Sequence, residues 1–316
     1  MSRRSRWLPR VATTTLLATF AACSASDDVP PDDVGDGEDL PAPAQGFQII
    51  TPIIELAPGQ EATYCYYTRM PISQTVGVKQ WESQMTPGSH HMILYFTSTE
   101  VQPEGTLTAQ NCGSGRGIWA YSAQQPKVTF AMPAGIGMAV EASQPAFIQM
   151  HYLNATDKTL PVRVTLNAST YAADETYTPA AAFVTYSSNI SVPPGTPATP
   201  GEATAGGICS VPANARFFTM STHAHKQAVR TQILDGDQIL FDSRDWEHPG
   251  ARIFAEEPFY SFATGGLNYR CEYRNRTSRV IQDGDSAVTD EMCMAIGYFF
   301  PASRPLFCLN NTVVPR

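Results

Sequence analysis

The chain has 316 residues, 43% hydrophobic and 16% charged, which is enough for one large domain or two ordinary ones with cores of their own. Its formal net charge is −8, and without the four arginines of the leader and the seven acids that follow it the body keeps about −5. A mildly acidic body gives no reason to expect nucleic-acid binding.

The first segment, "MSRRSRWLPR", carries Arg3, Arg4, Arg6 and Arg10 and no acid. An apolar run, "VATTTLLATFAA", follows and ends in small residues before Cys23. That is the layout of a secretory signal peptide, and a run of about a dozen residues is too short to span a bilayer. "FAAC" also resembles a bacterial lipobox, with Phe20 where such boxes have Leu. Residues 1–22 are therefore expected to be a leader and Cys23 a lipidated cysteine. The protein is expected in the cell envelope, periplasmic or outer-surface, or else simply secreted. The next stretch, "SASDDVPPDDVGDGEDLPAPAQG", is acidic and proline-rich, and the sequence predicts a disordered tether over residues 23–46.

From Phe47 the texture is that of strands. "FQIITPIIEL", "KVTFAM", "AFIQMHYL", "VRVTLNAST", "AFVTYSSNISV", "RTQILDGDQILF" and "MAIGYFF" are short β-branched or aromatic runs. Turn chemistry separates them, as in "APGQ", "TPGS", "MPAGIG" and "DGDQ". Helical periodicity is scarce and no internal repeat is visible. The prediction is an all-β protein of two tandem antiparallel β-sandwiches, residues 47–172 and 173–316, with the boundary in "STYAADETYTPAA". If Cys23 carries lipid, six cysteines remain, an even number that reads as three disulfides in an exported chain. Counting leaves 15 connectivities open.

The six histidines are His90, His91, His151, His223, His225 and His248. "GSHHMILYF" sets two of them side by side in an apolar run. Adjacent strand residues point to opposite faces, so His90 and His91 need an irregular backbone, or different ring nitrogens, to meet one ion. "STHAHK" places His223 and His225 at i and i+2, on one face of a strand, where both can grip one metal. His151 lies in the alternating run "FIQMHYLN", with Gln149 on the same face. Singly each histidine reads as an ordinary core or surface residue; together they favour a metal protein, with zinc, copper, iron and nickel all open. His248 in "RDWEHPG" reads as a loop histidine and Met92 as core. The sequons at Asn154 and Asn275 carry little meaning in a bacterial lipoprotein.

"SHHM", "QMHY", "HAH" and "TDEMC", in this order and spacing, resemble the copper type II, ascorbate-dependent monooxygenases, the family of peptidylglycine alpha-hydroxylating and dopamine beta-monooxygenases. The resemblance runs from about Phe47 to the C-terminus. It implies two jelly-roll sandwiches in tandem and two copper ions. His90, His91 and His151 would hold the electron-supplying copper. His223, His225 and Met292 would hold the copper where oxygen and substrate meet, across an open cleft from the first. A thioether there suits Cu(I). Gln149 matches a polar residue near His151, a candidate for support of that ligand. The implied disulfides are Cys65–Cys112, Cys209–Cys308 and Cys271–Cys293.

The departures concern substrate. Ser221 stands where the peptide-hydroxylating members have a carboxylate-binding arginine. Met294 and Ile296 replace their polar and tyrosine contacts. A largely apolar small molecule is expected rather than a peptide, and the sequence assigns no acid to an amine. The expected function is an exported monooxygenase that uses O2 and a reductant such as ascorbate to hydroxylate a C–H bond. The rival readings are a non-catalytic copper-binding lipoprotein and a zinc-loaded structural sandwich.

Overall fold

The computed structural model describes residues 40–109, 112 and 117–315. The leader, Cys23 and the tether as far as residue 39 lie outside the described residues. From Leu40 the chain is already held: Gln48 donates to the Leu40 carbonyl at 2.6 Å and Asn167 to the Pro41 carbonyl at 2.9 Å. The tether expected up to residue 46 therefore gives way to ordered chain somewhat earlier.

Among the described residues there is no helix. The strands form stacked, mostly antiparallel sheets, the all-β sandwich architecture expected from the alternating runs. One sheet of the first sandwich runs, in spatial order, Gly46–Ile50, Val164–Thr170, Val76–Met85, Ile136–Val140 and Thr178–Pro179, with Lys127–Ala131 also on Val76–Met85. Its partner runs Leu107–Ala109, Glu61–Arg69, Pro145–Leu153, Ser89–Phe96 and Ile118–Ala123. Trp81 from one sheet stacks on Tyr121 from the other, ring centres 5.7 Å apart, and both are buried.

The second sandwich pairs two further sheets. One runs Arg252–Ile253, Arg216–Ala224, Cys293–Phe300, Ala181–Tyr186, Leu306–Leu309 and Thr312–Pro315. The other runs Gly201–Ser210, Gly266–Asn275, Ala228–Asp235 and Gln238–Ser243. The "DGDQ" segment makes the predicted hairpin turn there, with Gly236 at φ 57° in the left-handed region that glycine enters without a Cβ clash. Disulfides join Cys65–Cys112, Cys209–Cys308 and Cys271–Cys293, the pairs the family resemblance implies, and such bonds belong to an oxidising compartment.

The two sandwiches share one apolar seam. The buried cluster of the first continues through Phe218, Met294, Ile296 and Tyr298 of the second. Phe130 lies 4.7 Å from the Tyr298 ring and 5.9 Å from Phe218, and the Tyr298 hydroxyl donates to the Ala120 carbonyl at 3.1 Å. Continuous apolar packing of this kind fixes the two sandwiches relative to each other far better than a wet, polar contact would.

The two sequons are a structural device used twice. The Asn154 amide donates to the carbonyls of Leu56, Ala57 and Lys158, while its oxygen accepts from the Thr156 amide and hydroxyl. Asn275 repeats the pattern in the second sandwich, with Val192, Pro193 and Arg279 as acceptors and Thr277 as donor. Both asparagines are fully buried. A likeness between the halves thus exists in hydrogen bonding where the sequences show no repeat. Replacing Asn154 or Asn275 by Ala strands several buried carbonyls and should lower the unfolding free energy by about 2–3 kcal/mol, read from urea denaturation of each variant.

Candidate metal centre

Two neighbouring strands build the first histidine group. His151, on Pro145–Leu153, faces His91 on Ser89–Phe96. The next rung pairs Tyr152 with Ser89, so the ladder steps over His90. His90 is therefore the extra residue of a β-bulge, the irregular backbone that an adjacent pair requires. The three rings close into a triangle with centroid distances of 5.2 Å for His90–His91, 5.2 Å for His90–His151 and 5.1 Å for His91–His151. Each offers a ring nitrogen, and the three atoms lie within 4.8 Å of one another.

The second group rests on the strand Arg216–Ala224. His223 lies on it and His225 follows its end, with ring centres 5.3 Å apart. The adjacent strand Cys293–Phe300 runs antiparallel, with Met294 opposite His223 and Cys293 opposite Ala224. Met292 immediately precedes the strand Cys293–Phe300, and His225 immediately follows Arg216–Ala224, so both leave the last rung at the same end of the ladder. Met292 lines the same cavity as His91 and His223. The Cys271–Cys293 disulfide ties down the residue next to it.

The two groups meet. The ring of His223 lies 5.3 Å from His91 and 6.3 Å from His90. The open cleft expected between the sites is corrected: the apolar seam through Phe130, Phe218 and Tyr298 presses the two sheets together, and five imidazoles form one contiguous cluster. All five are buried.

Most of these rings have one nitrogen fixed. His151 Nε2 bonds Glu61 Oε1 at 3.0 Å, His223 Nδ1 bonds Gln124 Oε1 at 2.7 Å, and His225 Nδ1 bonds the Asp290 carbonyl at 3.2 Å. His90 Nδ1 and His91 Nδ1 lie 3.0 Å apart, within hydrogen-bond distance of each other. Three other nitrogens, His90 Nε2, His151 Nδ1 and His225 Nε2, are buried with no partner among the described residues. Burial holds His90 down to about 4 and His225 to about 3, with neighbouring imidazoles adding to the effect. His91 and His223 lie well below the usual range for the same reasons. Burial also lowers His151, against the opposing pull of Glu61. Neutral imidazoles with lone pairs turned inward are what a metal needs. The residues present fit a transition metal. With Met292 beside the second pair, the donor set of nitrogens and one thioether suits copper.

Glu291 ties the second group together. Its carboxylate is buried and accepts the His225 amide at 3.0 Å and the Gln227 amide, so the turn after His-x-His is locked to the residue before Met292. Burial raises this carboxyl to about 7, although four backbone amides pull it back down.

A cavity of about 370 Å3 opens beside His91, His223 and Met292. Ile93 and Tyr95 line one side and Met294 and Ile296 another, so the apolar floor expected from the last two is present. Gln149 lines this cavity as well. Asp285 supplies a carboxylate to the wall. Ser221 faces a neighbouring cavity of about 310 Å3 instead and donates to the Gly250 carbonyl at 2.6 Å. His248 sits on the exposed 244–250 loop, as read from the sequence. The same loop sends Trp246 over His90, ring centres 5.6 Å apart and 28° from parallel. Met92 is fully buried in the core.

Sequence reasoning missed Glu61, Gln124, Trp246, Asp285 and Glu291. Glu291 stands inside "TDEMC", and an acid directly before a proposed ligand was a usable signal. The others arrive from distant segments and carry no local mark.

No protein-family model matches the chain. Over 289 residues it is 24% identical to tyramine beta-hydroxylase of Caenorhabditis briggsae, an alignment covering 79% of this chain and 48% of that protein. The chain thus spans about half the length of the curated relative it matches. Among solved structures it overlays on the glycosylasparaginase PNGase F of Flavobacterium meningosepticum with a TM-score of 0.39 and 12% identity, covering 86% of this chain and 99% of that one. A second peptide-N(4)-(N-acetyl-beta-D-glucosaminyl) asparagine amidase gives a TM-score of 0.38 and 11% identity over 82% of this chain and 98% of that one.

Depressed histidines make the metal-free protein acid-sensitive. Below the unfolded-state value of about 6.5 the unfolded chain takes up protons that the folded cluster refuses, so stability falls as pH drops from there toward the folded values. Glu291, raised in the fold, works in the opposite sense between about 4.5 and 7 and offsets one of the five histidines. Each uncompensated proton contributes a slope of about 1.4 kcal/mol per pH unit. The melting temperature of chelator-treated protein should therefore drop steeply between pH 6.5 and 5. Added copper should raise it at pH 7.

Proposed function

We propose that the chain is a copper-dependent monooxygenase that hydroxylates a C–H bond of a small, largely apolar molecule. It would use O2 and an external one-electron reductant such as ascorbate. The observation that carries this reading is the contiguous cluster of five buried imidazoles, two of which, His91 and His223, line a 370 Å3 cavity together with Met292 and apolar side chains. The likeness to tyramine beta-hydroxylase supports it.

His90, His91 and His151 would hold one copper, and His223, His225 and Met292 the other. Bound copper supplies one-electron chemistry with O2 and reductant, and the reaction consumes O2, two electrons and two protons to give a hydroxylated product and water. The chain's own groups set the conditions. Glu61 keeps a proton on His151 Nε2, and the Asp290 carbonyl keeps one on His225 Nδ1; each leaves the other ring nitrogen as a lone-pair donor. Glu291 holds the His225 turn against the Met292 strand. Ile93, Met294 and Ile296 exclude water from the substrate's place beside His223. Asp285 suits a substrate that, like the tyramine in the relative's name, ends in an amine.

Purified protein should bind about two coppers per chain and show ascorbate-driven O2 uptake that a hydroxylatable substrate stimulates. Met292→Ala should abolish turnover while the three-histidine copper stays bound. Zinc in place of copper, or uptake unchanged by Met292→Ala, would overturn the reading; copper without O2 uptake would favour a buffering protein. Asp285→Asn should raise KM for an arylalkylamine more than tenfold and leave a neutral aromatic substrate of the same size within about twofold, measured by product formation.

A further inference from the structure

Gln124 comes from the turn between Ile118–Ala123 and Lys127–Ala131, in the first sandwich, yet it touches a ligand candidate of the second. Its Oε1 lies 2.7 Å from His223 Nδ1. Its amide nitrogen donates to the Thr222 carbonyl at 3.4 Å, which settles which end of the carboxamide faces the ring. An oxygen facing Nδ1 requires a proton there, and Nε2 is then the nitrogen left with a lone pair. His225 follows the same rule through a carbonyl of its own sandwich, Asp290. His223 takes its acceptor from across the seam.

The traffic also runs the other way. Trp246 of the second sandwich stacks on His90 of the first at 5.6 Å. Ser286, in the segment leading to Met292, donates to Glu61 at 3.4 Å, the carboxylate that also holds His151. Gln124, Trp246 and Ser286 thus each reach across the seam beside the ligand candidates.

From this geometry we infer that Gln124 is a positioning residue for the His223/His225/Met292 metal site: it fixes the tautomer and ring angle of His223, and the first sandwich thereby completes the second sandwich's site. The inference rests on the copper reading of that site. A hydrogen-bonded partner of a metal-bound imidazole typically changes metal affinity by about 10–100-fold when it is lost. Leu at this position keeps the approximate volume and offers no acceptor, whereas Glu restores an oxygen facing Nδ1.

The test is Cu(I) titration of full-length parent, Gln124→Leu and Gln124→Glu proteins against a competing chelator, with copper X-ray absorption on the same samples. Sulfur scattering reports the Met292 site alone. In Gln124→Leu the equivalent that carries sulfur scattering should bind about 10–100-fold more weakly, the other equivalent should keep its affinity, and Gln124→Glu should recover most of the loss. Three results would overturn the inference: parent-like binding of both equivalents in the Leu variant, equal weakening of both, which would make Gln124 a packing residue of the seam, or no recovery with Glu. A parent protein with no sulfur-ligated copper would instead sink the copper reading itself.

Discussion

Three buried imidazole nitrogens have no partner among the described residues, and the rest of the centre is organised around them. A polar atom is costly to bury without a partner, about 1–3 kcal/mol, and a bound metal would supply that partner. His90 Nε2, His151 Nδ1 and His225 Nε2 are buried and unbonded, while the opposite nitrogens of their rings are bonded. Fixing one nitrogen and leaving the other bare is how a protein presents imidazole to a metal. The lowered proton affinity of the whole cluster follows from the same burial, since a charged ring there would be desolvated among four others.

The fold reaches this state through ordinary sheet geometry plus one irregularity. Cross-strand pairing puts His151 opposite His91, and the i, i+2 spacing puts His223 and His225 on one face. A single bulge at His90 brings in the third ring. Hydrophobic packing supplies the rest: the seam around Phe130, Phe218 and Tyr298 holds the sandwiches face to face, and the histidines occupy the place where that seam turns polar. The 370 Å3 cavity adjoins the same place, and Met294 and Ile296 of the seam also line it.

Much of this was legible in the chain before folding. Runs such as "AFIQMHYL" and "MAIGYFF" became the strands Pro145–Leu153 and Cys293–Phe300, because alternation and β-branching report directly on strands. The period of a strand alone leaves two ways for His90 and His91 to meet one ion, an irregular backbone or different ring nitrogens, and the bulge at His90 is the first of these. Register between distant strands does not appear in a sequence, so Glu61 beside His151 could not be foreseen. Contacts across the seam were still less visible: Gln124 and Trp246 lie in turns that look like solvent-facing loop. Asn154 and Asn275 read in the sequence as sequons of little meaning, since an Asn-x-Thr turn and a glycosylation sequon are spelled alike.

The central claim is that one copper sits in each histidine group, and crystallography at the copper absorption edge tests it most directly. Crystals of copper-loaded protein should give two anomalous peaks, one bounded by His90, His91 and His151 and one by His223, His225 and Met292. A single peak shared by the five rings, a peak at the zinc edge only, or a second peak away from Met292 would contradict the account.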